Sequence, residues 1–171
     1  AQLYRYTGDR ALLASLWPHV DAAARYMDTL RASERTEANR ARNAAFYGLM
    51  PASISHEGYS AKPMHSYWDD FWALRGYRDA AQIASWLGRD ADASWLAASR
   101  DQFEGDLHAS IATALRQTGL DVLPGSAELG DFDATSSTIA LAPGDEQGRL
   151  TDALLRNTFE RYWTEFVARR D

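Results

Sequence analysis

An all-α fold of antiparallel helical hairpins in two layers is predicted by three observations. Apolar residues recur at helical spacing through several long stretches, no stretch alternates at the two-residue period of a strand, and the connections alternate between long and short. At 171 residues, with 46% hydrophobic and 25% charged content, the chain has a folding composition and reads as a single all-α domain over residues 1–171.

The first helical pattern runs over residues 9–30, where Leu12, Leu13, Leu16, Val20, Ala23, Ala24, Met27 and Leu30 form the stripe and Asp21, Arg25 and Asp28 the wet face. Pro18 inside it predicts either a kink or a fresh helix start. Residues 33–45 are polar and Arg/Glu-rich and read as a solvated continuation. The second pattern, 65–87, is apolar nearly all round (Tyr67, Trp68, Phe71, Trp72, Leu74, Tyr77, Ile83, Leu87), as expected of a helix packed on all sides. Gly88-Arg89-Asp90 breaks it, and Asp90 or Asp92 is expected to cap a third, amphipathic helix to about residue 117. A Gly/Asp-rich loop covers 119–133, within which Asp121-Val122-Leu123 can pair briefly. A small-residue helix follows over 134–142 and stops at Pro143-Gly144. The last helix, 146–169, carries Leu150, Leu154, Leu155, Phe159, Tyr162 and Phe166 on its stripe. Loops 31–64 and 119–133 are long and the turns at 88–90 and 143–145 tight, so antiparallel packing gathers the long loops at one end. The apolar helices begin at that end, turning free N–H groups toward whatever binds there.

Composition excludes several functions. A net charge of −6 provides no basic face for nucleic acid, and no apolar run approaches a membrane span. The absence of cysteine removes disulfides, thiolate metal sites and thiol catalysis. His19, His56, His65 and His108 lack close ligand spacing, and no nucleotide or nucleophile-elbow fingerprint occurs, so neither metal nor cofactor is expected. Ser136-Ser137-Thr138 reads as a close-packing patch.

Two constellations remain. The first joins Tyr47-Gly48-Leu49-Met50-Pro51, Ser55-His56-Glu57-Gly58-Tyr59 and His65-Ser66-Tyr67-Trp68-Asp69-Asp70-Phe71-Trp72. Aromatic faces beside carboxylates suit carbohydrate, whose C–H faces stack on rings while its hydroxyls bond charged acceptors. The plainer reading makes Asp69 and Asp70 first-turn helix acids and the aromatics core. The second constellation, 123–133, holds Glu128, Asp131 and Asp133 in a Gly-rich loop at the same end; a solvated turn with Asp133 capping the next helix is its plainer reading.

Tyr67-Trp68-Asp69-Asp70-Phe71-Trp72-Ala73-Leu74-Arg75-Gly76-Tyr77 resembles the Tyr-Trp-Asp segment of trehalases and related inverting glycosidases, whose fold is the (α/α)6 toroid of six hairpins. Leu16-Trp17-Pro18, Gly48-Leu49-Met50-Pro51 and Leu87-Gly88-Arg89 resemble the same superfamily. Pro63 and Met64 stand near where trehalases carry Pro-Gly-Gly-Arg and a Glu, so the resemblance does not imply trehalose itself as substrate. It implies a carbohydrate substrate held by Trp68 and Asp69, to which Tyr67, Asp70, Trp72, His65 and Asp131 are added as expected sugar contacts. Glu57 and Glu128 are the expected acid/base pair, because their loops lie at the open end. Five or six helices make two to three hairpins of the roughly twelve-helix toroid. The open arc is therefore expected to be covered by the remainder of a longer chain or by a second copy. Against the glycoside hydrolase stands a non-catalytic α-hairpin module that binds a protein or glycan through its loop face.

Overall fold

A computed structural model describes residues 1–55 and 62–169, and these are all-helical. Seven α-helices follow one another among the described residues: α1 (Gln2–Thr7), α2 (Arg10–Glu34), α3 (Glu37–Arg42), α4 (Tyr67–Leu87), α5 (Asp90–Thr118), α6 (Ala134–Leu141) and α7 (Asp152–Val167), with a 3-10 turn at Ala44–Phe46 before α4. No described helix is long and apolar enough to cross a membrane.

The all-round apolar sequence of α4 becomes the hub. It packs against α2, α5 and α6 and buries Tyr67, Phe71, Leu74, Tyr77 and Ile83, each contributing about 1.5–3 kcal/mol of hydrophobic stabilisation. It ends at Gly88, whose φ of 74° lets the chain turn at once into α5. The predicted Asp90 or Asp92 cap is not made. Arg89 takes the N-cap position without a side-chain bond, and the two acids sit instead in the first turn, where the helix dipole favours them. The same device precedes α2: Gly8, at φ 65°, closes α1, and Asp9 alone separates it from α2 while accepting the Leu12 N–H. Tyr4 of α1 lies against Trp86 of α4, ring centroids 4.9 Å apart.

Pro18 neither starts nor ends a helix; α2 runs through it and is 25 residues long. Its buried seam is Leu13, Trp17, Ala24 and Arg31, so the stripe expected to include Leu12 and Leu16 is rotated and those two are exposed. Leu12 and Leu16 instead line a small apolar niche of 150 Å³ with Leu3 and Tyr4 of α1. The solvated continuation over 33–45 splits into the end of α2, α3 and the 3-10 turn, because Thr36 caps α3 by accepting the Asn39 N–H at 3.1 Å. The last helix starts at Asp152 rather than 146. Thr151 caps it, while Glu146 is drawn into the interior. Of its expected stripe only Leu150, which lies ahead of the helix, is buried, and Phe166 is exposed beside Trp163 and Val167. The Asp121–Leu123 pairing is replaced by isolated bridges elsewhere: Ser53 with Met64, Ser66 with Ser126, and Pro124 with Phe132.

Gly48 carries the close approach that fixes loop 43–55 to α5. Its φ is +77°, and a Cβ there would overlap the Asp106 carboxylate. Gly48→Ala is therefore expected to lower the unfolding free energy by about 1–3 kcal/mol, from left-handed strain alone and more once Asp106 is displaced. Urea denaturation measures it; a loss below 0.5 kcal/mol (roughly the background of surface changes) would mean that the loop yields freely.

Candidate functional site

The long loops meet where they were expected to, at the N-terminus of α4. Ser53 and Met64 exchange both main-chain bonds at 2.9 Å, closing an excursion whose middle, with the expected catalytic Glu57, lies outside the described residues. Loop 119–133 crosses the helix start: the Tyr67 N–H donates to the Gly125 carbonyl at 3.0 Å, and the Ala127 N–H to the His65 carbonyl at 3.0 Å. A free first-turn amide of α4 is thereby satisfied by the acidic loop. Asp131 fastens the same loop, its carbonyl accepting the Gly125 N–H at 2.7 Å and its half-buried carboxylate the Ser126 hydroxyl at 3.4 Å. Asp133 is the cap of α6, accepting from Thr135 N–H and the Ser136 hydroxyl, each at 2.8 Å.

Helical geometry separates the adjacent acids Asp69 and Asp70, since successive residues point about 100° apart. Asp69 is half-buried and accepts the Ser53 hydroxyl at 2.6 Å and the Ser55 hydroxyl at 2.9 Å. Asp70 is fully buried. One oxygen accepts the Met50 N–H at 2.8 Å, and Oδ2 has no partner among the described residues. Burial pushes its carboxyl up to about 8, against the Met50 bond and with help from Asp69. Asp70 is thus an interior group, not the sugar contact expected. Tyr67 is corrected in the same way: it is fully buried with its hydroxyl 2.8 Å from that of Ser110, and burial raises its pKa. Trp72 is exposed, with its ring centroid 6.1 Å from that of Trp68. A groove of 630 Å³ runs from Trp72 along Arg75 and Asp79, with Gln2 and Pro143 at its walls.

His65 is also interior. Its Nδ1–H donates to Glu128 Oε1 at 2.6 Å and its main-chain N–H to Glu128 Oε2 at 2.9 Å, while Phe46 stacks on the ring at 4.5 Å. Both oxygens of Glu128, the expected acid or base, are therefore committed to His65. The second ring nitrogen lies 3.4 Å from Glu34 Oε2. Burial alone would lower the His65 pKa, but the bonds to Glu128 and Glu34 outweigh it and raise the value.

Sequence reasoning missed Glu34, which nothing in its local pattern distinguishes, and a second polar centre at the other side of α4. There Glu146 is fully buried, with Arg78 on one oxygen and His108 Nε2 at 2.6 Å from the other. Glu104 receives Arg78 at 2.7 Å and Arg149 at 3.1 Å. Burial would raise the Glu146 pKa, but His108 and Arg78 outweigh it and hold the carboxyl below the usual range. The ligand atoms of Glu104, His108 and Glu146 lie within 4.8 Å of one another, as a cation would need. Two guanidinium groups already neutralise the two carboxylates, so the centre is read as an ion-pair network. The spacing of Glu104 and His108, four residues apart on one helix face, was its signal in the sequence.

Comparison with family models, curated proteins and solved structures gives no match for this chain.

Proposed function

We propose that the chain is a carbohydrate-active arc of a glycoside hydrolase, with its binding face at the N-terminal end of α4. The observation that carries this reading is Asp69. Its half-buried carboxylate is oriented by two serine hydroxyls and sits on the same helix as Trp68 and the exposed Trp72. A fixed acceptor beside an aromatic face is the pair of groups that a pyranose ring requires. Asp69 is assigned as the reacting carboxylate on this chain, and Glu57 as its sequence-based partner. The hydroxyls of Ser53 and Ser55 keep Asp69 aimed, and the neutral Asp70 behind it adds no second negative charge.

The arc reading is supported by α1. It enters α2 through the same left-handed glycine turn by which α4 enters α5, and its Tyr4 abuts the last turns of α4. α1 borders the groove of Trp72, Arg75 and Asp79 through Gln2. We assign the cover of that groove to the remainder of a longer chain.

The alternative, a binding module without turnover, is favoured by one observation: both oxygens of Glu128 are held by His65. Intrinsic tryptophan fluorescence and hydrolysis of aryl α- and β-glucosides and oligosaccharides separate the two. Trp72→Ala is expected to weaken glycan binding about tenfold, and Asp69→Asn to cut hydrolysis by about 10²–10⁴ while leaving binding within a few-fold. Binding lost through Trp72→Ala with no turnover in the parent chain selects the module. Neither binding nor turnover on any glycan sinks the carbohydrate reading.

A further inference from the structure

We propose that His65 is a pH-operated clamp: in its doubly protonated form it ties the corner between α2 and α3 and the acidic loop 119–133 to the start of α4, and loss of one ring proton releases the corner. Each ring nitrogen faces a carboxylate from a different segment, Nδ1 at 2.6 Å from Glu128 and Nε2 at 3.4 Å from Glu34. A neutral imidazole has one N–H and can serve only one of them; imidazolium serves both. The ring is 2% exposed and covered by Phe46, so water cannot easily replace the missing donor.

The two arms are unequal. Glu128 is held twice, by the ring and by the main-chain N–H of His65, and the Ala127 N–H binds the His65 carbonyl as well. Glu34 reaches His65 through one long contact, and its other partner, the Asn39 amide, belongs to the corner itself. Deprotonation turns an Nε2 lone pair toward the Glu34 oxygen and leaves the Glu128 arm intact. The corner, residues 36–40, therefore parts first; Arg35 on Asp106 before it, and Asn43 on Gln117 and Ala45 on Ser110 after it, stay anchored to α5. Among the described residues, the other charges near the ring are Asp70 on α4, on which Arg31 of α2 also acts, and Arg42, 5.1 Å from the Phe46 ring. Because the His65 pKa is raised, the clamp is fully engaged below the ordinary imidazole value near 6.5 and is lost as pH rises through the folded-state value. It holds whether or not the face above it binds sugar.

The test is a ring-nitrogen NMR titration from pH 5 to 10 on the whole chain, with amide hydrogen exchange followed alongside. His65 is expected to lose its second ring proton with a midpoint above the ordinary imidazole value near 6.5. Exchange of amides 36–40, corrected for intrinsic pH dependence, should rise about tenfold through that midpoint while 125–130 change less. Glu34→Gln, which keeps the side-chain shape, should lower the midpoint and remove the exchange step. A His65 midpoint at or below about 6.5, or an exchange step that persists in Glu34→Gln, overturns the clamp.

Discussion

Arg31→Ala is expected to lower the unfolding free energy by about 3–5 kcal/mol, the cost of breaking a buried ion pair from one side. The Arg31 side chain is 3% exposed, and its guanidinium joins three segments. It donates to the Gly48 carbonyl at 3.2 Å in the loop before α4. On α5 it donates to the Ser99 carbonyl at 3.3 Å and to Asp106 Oδ2 at 3.1 Å, and it lies 4.4 Å from the Phe103 ring centroid. Truncation strands two carbonyls and removes one of the two arginines on Asp106, leaving Arg35 at 2.8 Å. It also opens a cavity over Phe103. Arg31→Lys restores a charge but not the fork that reaches both the loop and α5, so it should recover less than half of the loss. At about 2–4 °C per kcal/mol the alanine variant should melt roughly 10 °C below the parent. Thermal and urea unfolding followed by far-UV circular dichroism decide it. A loss under 1 kcal/mol (about the average single substitution) would mean that Arg35 and water replace Arg31.

Arg31 also marks the boundary of what was legible. The helices were, because their apolar residues recur over many turns: α4 read as apolar on every side and became the hub, and Asp133 read as a cap and is one. Gly88 likewise marked a helix end. The seam of α2 was misjudged because Leu12 and Leu16 outweighed a quieter signal, the seven-residue spacing of Trp17, Ala24 and Arg31, which are all buried. A charged residue on a heptad seam is discounted by hydrophobic pattern, yet here it is the connection between α2, the loop and α5. The start of α7 was placed too early for a related reason. Glu146 looks like a first-turn acid, but Arg78 and His108, 68 and 38 residues away in sequence, hold it in the interior. At the candidate site, Trp72 belongs to a pattern read as packed on all sides, yet it is exposed, and Asp69 beside it is half-buried. The burial of Tyr67 and Asp70 was not legible either, since period alone does not say which side of an all-apolar helix meets solvent. The Glu34–His65–Glu128 chain joins positions 31 and 63 residues apart, and no local spacing encodes such a meeting.

Asp70 gives the second large effect, and its sign is opposite to that of an ordinary salt-bridged carboxylate. With the folded-state value pushed up to about 8, the native chain keeps the Asp70 proton over a pH range in which the unfolded chain, near 3.9, has lost it. Between those values the unfolded state binds fewer protons. The Asp70 contribution to stability is therefore fully present below about pH 4 and falls as pH rises toward 8, at up to about 1.4 kcal/mol per unit. His65, also raised, adds a decline of the same sign above about 6.5, whereas Glu146, held low, makes stability fall only as pH drops below about 4. Comparison with a variant isolates the Asp70 share. Asp70→Asn cannot ionise, and its carbonyl oxygen can still accept the Met50 N–H made by Oδ1 at 2.8 Å. Its amide then occupies the place of Oδ2, which is buried without a partner among the described residues, at a cost of about 1–3 kcal/mol independent of pH. The expected result is a crossing pair of curves. Asp70→Asn should be the less stable protein at pH 4 and the more stable one at pH 9, with its urea midpoint nearly flat where the parent declines, apart from the shared His65 slope. Parallel curves for the two proteins from pH 5 to 9 would show that Asp70 ionises at an ordinary carboxylate value.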